Sequence, residues 1–149
     1  MAVDNLWLLE AILRTRLAEQ LADLVPRMHV LSAADLAGVT EATQPTPAVH
    51  LVYQGYRVVE SRGDGRGARL EQTWLATVAT RNVRDLRTGI AARVDAGQIA
   101  ARVAGALMGF KPTPASKPLR LVDAPSAGYG GGFAYLPLAF VAELVLESV

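Results

Sequence analysis

Apolar residues recur at three- and four-residue intervals at Leu6, Leu9, Ile12, Leu13, Leu17, Leu21 and Leu24. That spacing lays one stripe along an α-helix. Asp4 or Asn5 supplies an N-terminal cap and Pro26 stops the helix. Glu10, Arg14, Arg16, Glu19, Gln20 and Asp23 occupy the other flanks, so the helix is expected to lie across a sheet with one side wet. Arg27 to Ser32 reads as a short strand, followed by a small-residue segment to Gly38. Thr43-Gln44-Pro45-Thr46-Pro47 then reads as an extended, exposed connection.

The period shortens to two from Ala48 to Glu60. Val49, Leu51, Tyr53 and Val59 fall on one side and His50, Val52, Gln54, Tyr56 and Val58 on the other, so both sides are partly apolar. A cleaner alternation from Leu70 to Asn82 sets Leu70, Trp74, Ala76 and Val78 against Glu71, Thr73, Thr77 and Arg81. The intervening Ser61 to Arg69, rich in Gly and Arg, is expected to be a long mobile hairpin tip. Past the connection at Arg84-Asp85-Leu86-Arg87, a second helix is predicted over roughly Thr88 to Leu107. Its buried stripe is Ala92, Ala96, Ile99, Ala100, Val103, Ala104 and Leu107. Gly89, Gly97 and Gly105 cost this helix about 1 kcal/mol each relative to Ala, so packing must hold it.

A Pro-punctuated loop, Lys111 to Pro118, precedes a short strand at Leu119 to Asp123 and a segment, Ala124 to Gly132, that looks too Gly-rich to be regular. The final strand, Phe133 to Leu146, puts Ala134, Leu136, Leu138, Phe140, Leu144 and Leu146 on one face. The other face carries Phe133, Tyr135, Pro137, Val141, Glu143 and Val145. Pro137 fits an edge strand or a bulge, whereas apolar residues on both faces also fit a central strand. Together the elements predict one α+β domain over residues 1–149: a mostly antiparallel or mixed sheet of four to five strands with two helices packed on one face.

Composition adds one functional hint and removes several classes. Hydrophobic residues make up 51% and charged residues 19%, so the chain should fold with apolar surface left to bury against partners. The net charge of +1 gives no global field for nucleic acid or membrane. Every basic residue except Lys111 and Lys117 is Arg, which genome composition explains as well as recognition does. Zero Cys excludes disulfides and thiolate chemistry. No secretory signal and no apolar run near 18 residues is apparent, so a soluble protein is expected.

Candidate chemistry is sparse, and no enzyme activity, cofactor or metal is expected. His29 and His50 have no carboxylate at ligand spacing, no nucleophile elbow surrounds any Ser, and no acid–base carboxylate pair is placed by sequence. Neither glycine cluster, Gly63 to Gly67 or Gly128 to Gly132, precedes a helix as a phosphate loop must. Arg62, Arg66 and Arg69 in the hairpin, with Arg84 and Arg87 before the second helix, are candidates for contact with a partner or with DNA. The competing view is of solvated loops, because no aromatic residues are interleaved. Phe133, Tyr135, Pro137, Val141 and Val145 are the candidate subunit interface, on the view that the last strand offers an edge to a neighbour.

Three stretches, Thr46 to Tyr56, Gln72 to Asn82, and Pro118 to Tyr129 running into Gly132 to Phe140, together with the order of elements, resemble the Mu-like phage tail terminator family. The resemblance implies a structural virion protein from a contractile-tailed phage or prophage, assembled in the bacterial cytoplasm as a hexameric ring. Such a ring caps the tail tube, stops its polymerisation and offers a head-joining surface. Its implied partners are other copies of itself, the tube protein and neck or head-completion proteins. It supplies no catalytic residues to transfer. Alternatives are a tail completion, tube or baseplate subunit, or a small-molecule module using the loop from Ala124 to Gly132. The helical stripe makes one firm prediction: Leu13→Asp should prevent folding, and a soluble variant with an unchanged melting temperature would disprove the placement of that face.

Overall fold

Leu9, Leu13, Leu17 and Leu21, one apolar side chain per helical turn, are fully buried and form one wall of the core. Each contributes about 1.5–3 kcal/mol by removal from water. The computed structural model describes residues 2–81 and 90–149, with side chains in the second segment described from residue 95. The helix α1 spans Leu9–Gln20, and Asn5 accepts a hydrogen bond from the Trp7 amide in the turn before it. It is followed by β1 (His29–Ser32), α2 (Ala33–Leu36), a 3-10 turn (Glu41–Thr43), β2 (Ala48–Ser61), β3 (Gly67–Arg81), α3 (Ile90–Leu107), β4 (Arg120–Val122), β5 (Gly128–Gly130) and β6 (Phe133–Glu147).

The strands form one six-stranded mixed sheet in the order β1-β2-β3-β6-β4, with β5 also paired to β6. The β1–β2 pair is parallel and the remaining pairs are antiparallel. On β3 the inward positions are Leu70, Gln72, Trp74, Ala76 and Val78, and their partners on β6 are Leu144, Ala142, Phe140, Leu138 and Leu136. Helices α1 and α3 cover this face; Ala96, Ala100, Val103, Ala106 and Leu107 bring α3 down on it. Small residues at most of these contacts let the α3 backbone approach closely. Arg16 fastens the two helices, donating to the Ala106 carbonyl while its guanidinium lies 4.7 Å from the centre of the Phe110 ring. The α+β class and the two helices on one face follow the sequence expectation. Ala106 replaces Ala104 on the fully buried stripe, and Ala92 lies outside the described side chains.

Four local expectations need correction. The segment after β1 is not merely small-residue linker: Ser32 and Asp35 form a capping box that starts α2. The hairpin tip is shorter than its composition suggests, because the strands run in to Ser61 and Gly67 and leave five residues, 62–66. Their turn is stitched by bonds from Arg62 N to the Gly67 carbonyl and from Gly65 N to the Arg62 carbonyl. The segment around Gly128 is regular after all. Gly131 and Gly132, at φ 58° and 82°, make the two-residue turn that folds β5 back onto β6, a conformation that favours glycine at both positions.

The fourth correction concerns β6, which is not an edge strand. It pairs with β3 along fifteen residues, and its other side is covered by β5 at residues 133–135 and by β4 at residues 139–141. Residues 2 and 3 join it at Val145. Pro137 is tolerated because it falls in the short interval between the β5 and β4 ladders, where the outer side has no strand partner among the described residues.

Strand β2 departs from simple alternation at two register shifts, one between Tyr53 and Gly55 and one between Val58 and Glu60. The first moves Tyr56 and Val58 onto the helix-facing side with Val49, Leu51 and Tyr53, opposite Gln72 and Leu70. Gly55 has φ 114°, outside the range an L side chain adopts comfortably, and the space where a Cβ would sit is open. Gly55→Val should therefore lower stability by about 1–3 kcal/mol through backbone strain alone. The check is a lower urea midpoint with an unchanged slope; an unaltered midpoint would refute the strain.

Candidate interaction surface

Among the described residues the face of the sheet away from α1 and α3 has no helix of comparable length over it, and its chemistry is built from β3, β6 and their flanking strands. Glu71 points to this side, because its neighbours Leu70 and Gln72 point into the core. Its side chain is only 12% exposed and is held between Arg57 of β2 at 2.7 Å and Arg120 of β4 at 3.0 Å. These hydrogen bonds, from Arg57 first and Arg120 second, hold the Glu71 carboxyl below the usual glutamate range. Directly opposite Glu71 on β6, Glu143 is buried and lies 3.5 Å from Arg69 and 3.4 Å from Lys117. The carboxylates thus sit low in the sheet and the cations reach outward over them.

At the other end of this face the Tyr135 hydroxyl donates to Glu41 at 2.6 Å and accepts from Gln44 Nε2 at 2.7 Å. Burial and the neighbouring Glu41 carboxylate push the Tyr135 phenol up to about 12. The 3-10 turn is thereby pinned across the strand ends. His50, between these regions, has its Nε2 buried without a hydrogen-bond partner, and burial lowers its pKa, favouring the neutral ring. Among the described residues no group of three or more His, Asp or Glu could hold a metal ion. A cleft of about 510 Å³ lies near the α1–β1 connection, with Pro26, Pro47, Thr80, Asp95 and Arg102 in its lining. It brings together no set of groups with an evident catalytic division of labour.

The residues singled out from sequence scatter. Phe133 and Val141 are 3% and 7% exposed, so their own chain covers them and they are corrected as interface candidates. The physical reason is the interior position of β6. Tyr135, Pro137 and Val145 are half-buried, with the Tyr135 hydroxyl already engaged. At the hairpin, Arg62 pairs with Asp64 at 3.0 Å, Arg69 with Glu60 at 2.9 Å, and Arg66 donates to Ser148 at 3.2 Å. Internal carboxylates therefore balance much of the local positive charge. Arg84 and Arg87 lie outside the described residues.

Exposed apolar side chains are found elsewhere. Trp7, Tyr56, Val58, Val59, Met108, Leu121 and Tyr129 all stand largely in solvent. Trp7 continues an aromatic row inward, its ring centre 4.7 Å from Tyr53, which is 5.1 Å from buried Trp74. Sequence reasoning missed Tyr56, Val58 and Val59 as surface, although the two-sided apolar character of that strand was a signal.

A sheet covered by helices on one side, with a charged open side and dispersed exposed apolar residues, defines a small α+β protein. The chain matches the phage tail terminator protein family over residues 9–148, nearly its whole length, and belongs to that family. A comparison with curated proteins gives no match. Family membership makes it a structural component of a phage tail, and no described helix is long and apolar enough to cross a membrane.

The Glu71 clamp has a testable pH signature. A carboxyl that is more acidic folded than unfolded stabilises fully above its unfolded value, 4.5, and the contribution is lost as pH falls through the lowered folded value. Glu71→Gln should reduce stability at neutral pH by about 1 kcal/mol, since both cations are mostly exposed. The gap to the parent should close below pH 4.5. Melting temperatures across pH check this, and a gap that persists in acid would contradict it.

Proposed function

We propose that this protein closes into a hexameric ring on the end of a phage tail tube, stops tube polymerisation and presents a head-joining surface. The observation that carries the proposal is the family match across residues 9–148, and the ring itself comes from what that family resemblance implies. The exposed apolar side chains at Trp7, Met108, Leu121 and Tyr129 support it, because a ring gives each copy neighbours against which such surface is removed from water. The partners in this reading are other copies of the chain, the tube protein and neck or head-completion proteins. Within the virion its place is the tail, reached after assembly in the bacterial cytoplasm.

The hairpin arginines enter the reading as a contact with the tube or neck rather than with DNA. Arg62 and Arg69 each have a carboxylate at hand, which lowers the local charge available to phosphates. The catalytic alternative receives no support from the open cleft, whose polar groups are not arranged as a nucleophile, base and orienting group.

Polymerising tube protein with and without this protein tests the assignment by electron microscopy. Tubes should stop at shorter lengths and carry a ring of density at one end when it is present. Elongation that continues unchanged would favour another tail or neck component.

A further inference from the structure

β1 covers β2 only at residues 48–51, so from Val52 to Ser61 the outer edge of β2 has no strand partner among the described residues. This is a long free edge, and edges of this kind are templates for another strand. It carries Tyr56 and Val58, 55% and 50% exposed, with Val59 beside them. Nothing in its composition blocks pairing: it contains no proline, and its charges are one Arg and one Glu.

Those two charges point to the occupant. Arg57-Val58-Val59-Glu60 is self-complementary when two copies run antiparallel with Val58 of one opposite Val59 of the other. Arg57 then faces Glu60 of the second copy, and Glu60 faces its Arg57. Directly opposed residues in an antiparallel pair share a face. In a regular strand, positions three apart point to opposite faces. Here the register shift between Val58 and Glu60 brings Arg57 and Glu60 to the same face, where they meet Glu71 and Arg69 on β3.

Across the joined sheets each row would read Glu71, Arg57, Glu60 of the second copy, Arg69 of the second copy, with charges alternating throughout. The side chains that meet are available, Arg57 being 70% and Glu60 64% exposed. A strand from an unrelated partner would have to reproduce this order of charge by chance, whereas a second copy supplies it by symmetry. Bulges often turn an edge away from partners. This one instead aligns the two charges that a two-fold contact requires.

We infer that the free protein forms a two-fold dimer through the β2 edge, with Arg57 and Glu60 of each copy paired reciprocally. The contact is isologous, so it closes at two copies and is separate from the heterologous contacts of a ring. It does not rest on the tail-capping reading, and each can fail alone.

Analytical ultracentrifugation of the full chain and of two single variants, Arg57→Glu and Glu60→Arg, tests it. The parent should sediment as a concentration-dependent dimer. Each variant alone should show at least tenfold weaker association, because two like charges then meet twice across the axis. Mixed in equal amounts, the two variants should recover the dimer, since one copy then presents two acids and the other two guanidiniums. Circular dichroism and melting curves establish that both variants are folded; if either is not, Arg57→Gln and Glu60→Gln replace them, and each should weaken association. A monomeric parent at every concentration, a dimer indifferent to these substitutions, or folded charge-reversal variants that fail to pair when mixed would overturn the inference. A parent that sediments only as monomer and ring, with no dimer at any concentration, would overturn it too, while leaving tail capping intact.

Discussion

The architecture depends on the antiparallel union of β3 and β6, two fifteen-residue strands paired end to end. Its inner surface aligns Trp74 with Phe140, Leu70 with Leu144 and Val78 with Leu136, and it is the apolar surface on which α1 and α3 settle. Their own helical preference is insufficient, especially in α3 with its interior glycines, so burial against this pair must hold them. Gln72 belongs to the same framework. Fully buried, it donates to the Leu6 carbonyl and accepts from the Trp74 indole, connecting the segment before α1 to the middle of the sheet.

Covering one side of the sheet leaves the other to meet solvent, and the protein handles that with buried acids under exposed bases. Glu71 and Glu143 would be costly to bury unpaired, and Arg57, Arg120, Arg69 and Lys117 reach over them. The arrangement keeps the open face charged in a free copy. It also limits what that face can do chemically, because the Glu71 carboxyl is held as an anion by its two guanidinium neighbours and is not poised to exchange a proton near neutral pH. A tail component works through surfaces, and this division between a helix-backed side and a charged side suits one.

Much of this was legible in the chain. The leucine stripe of α1, the clean alternation of β3 and the approximate extent of α3 follow from periods of 3.6 and two, which depend on local backbone geometry. The site was less legible. The alternation in β2 does not continue through Gln54-Gly55, because a single inserted residue exchanges the faces of everything beyond it. Apolar residues on both sides of β6 signalled burial correctly but could not say whether the same chain or a neighbour provides the cover. Gly128 and Gly130 appeared too permissive for a strand, yet a turn at Gly131-Gly132 and a waiting strand edge order them.

By itself the sequence determined the α+β class, the helix faces and the absence of thiol chemistry, because these reside in composition and in the short-range repeat of apolar side chains. Family resemblance lay in the same linear record. Tertiary structure alone decided that β6 is interior, that Phe133 and Val141 are consumed by the protomer, and that the exposed apolar strand is β2. Those outcomes turn on which distant segments pair and in what register, and a small change in register reverses an entire face while leaving the local pattern of residues untouched.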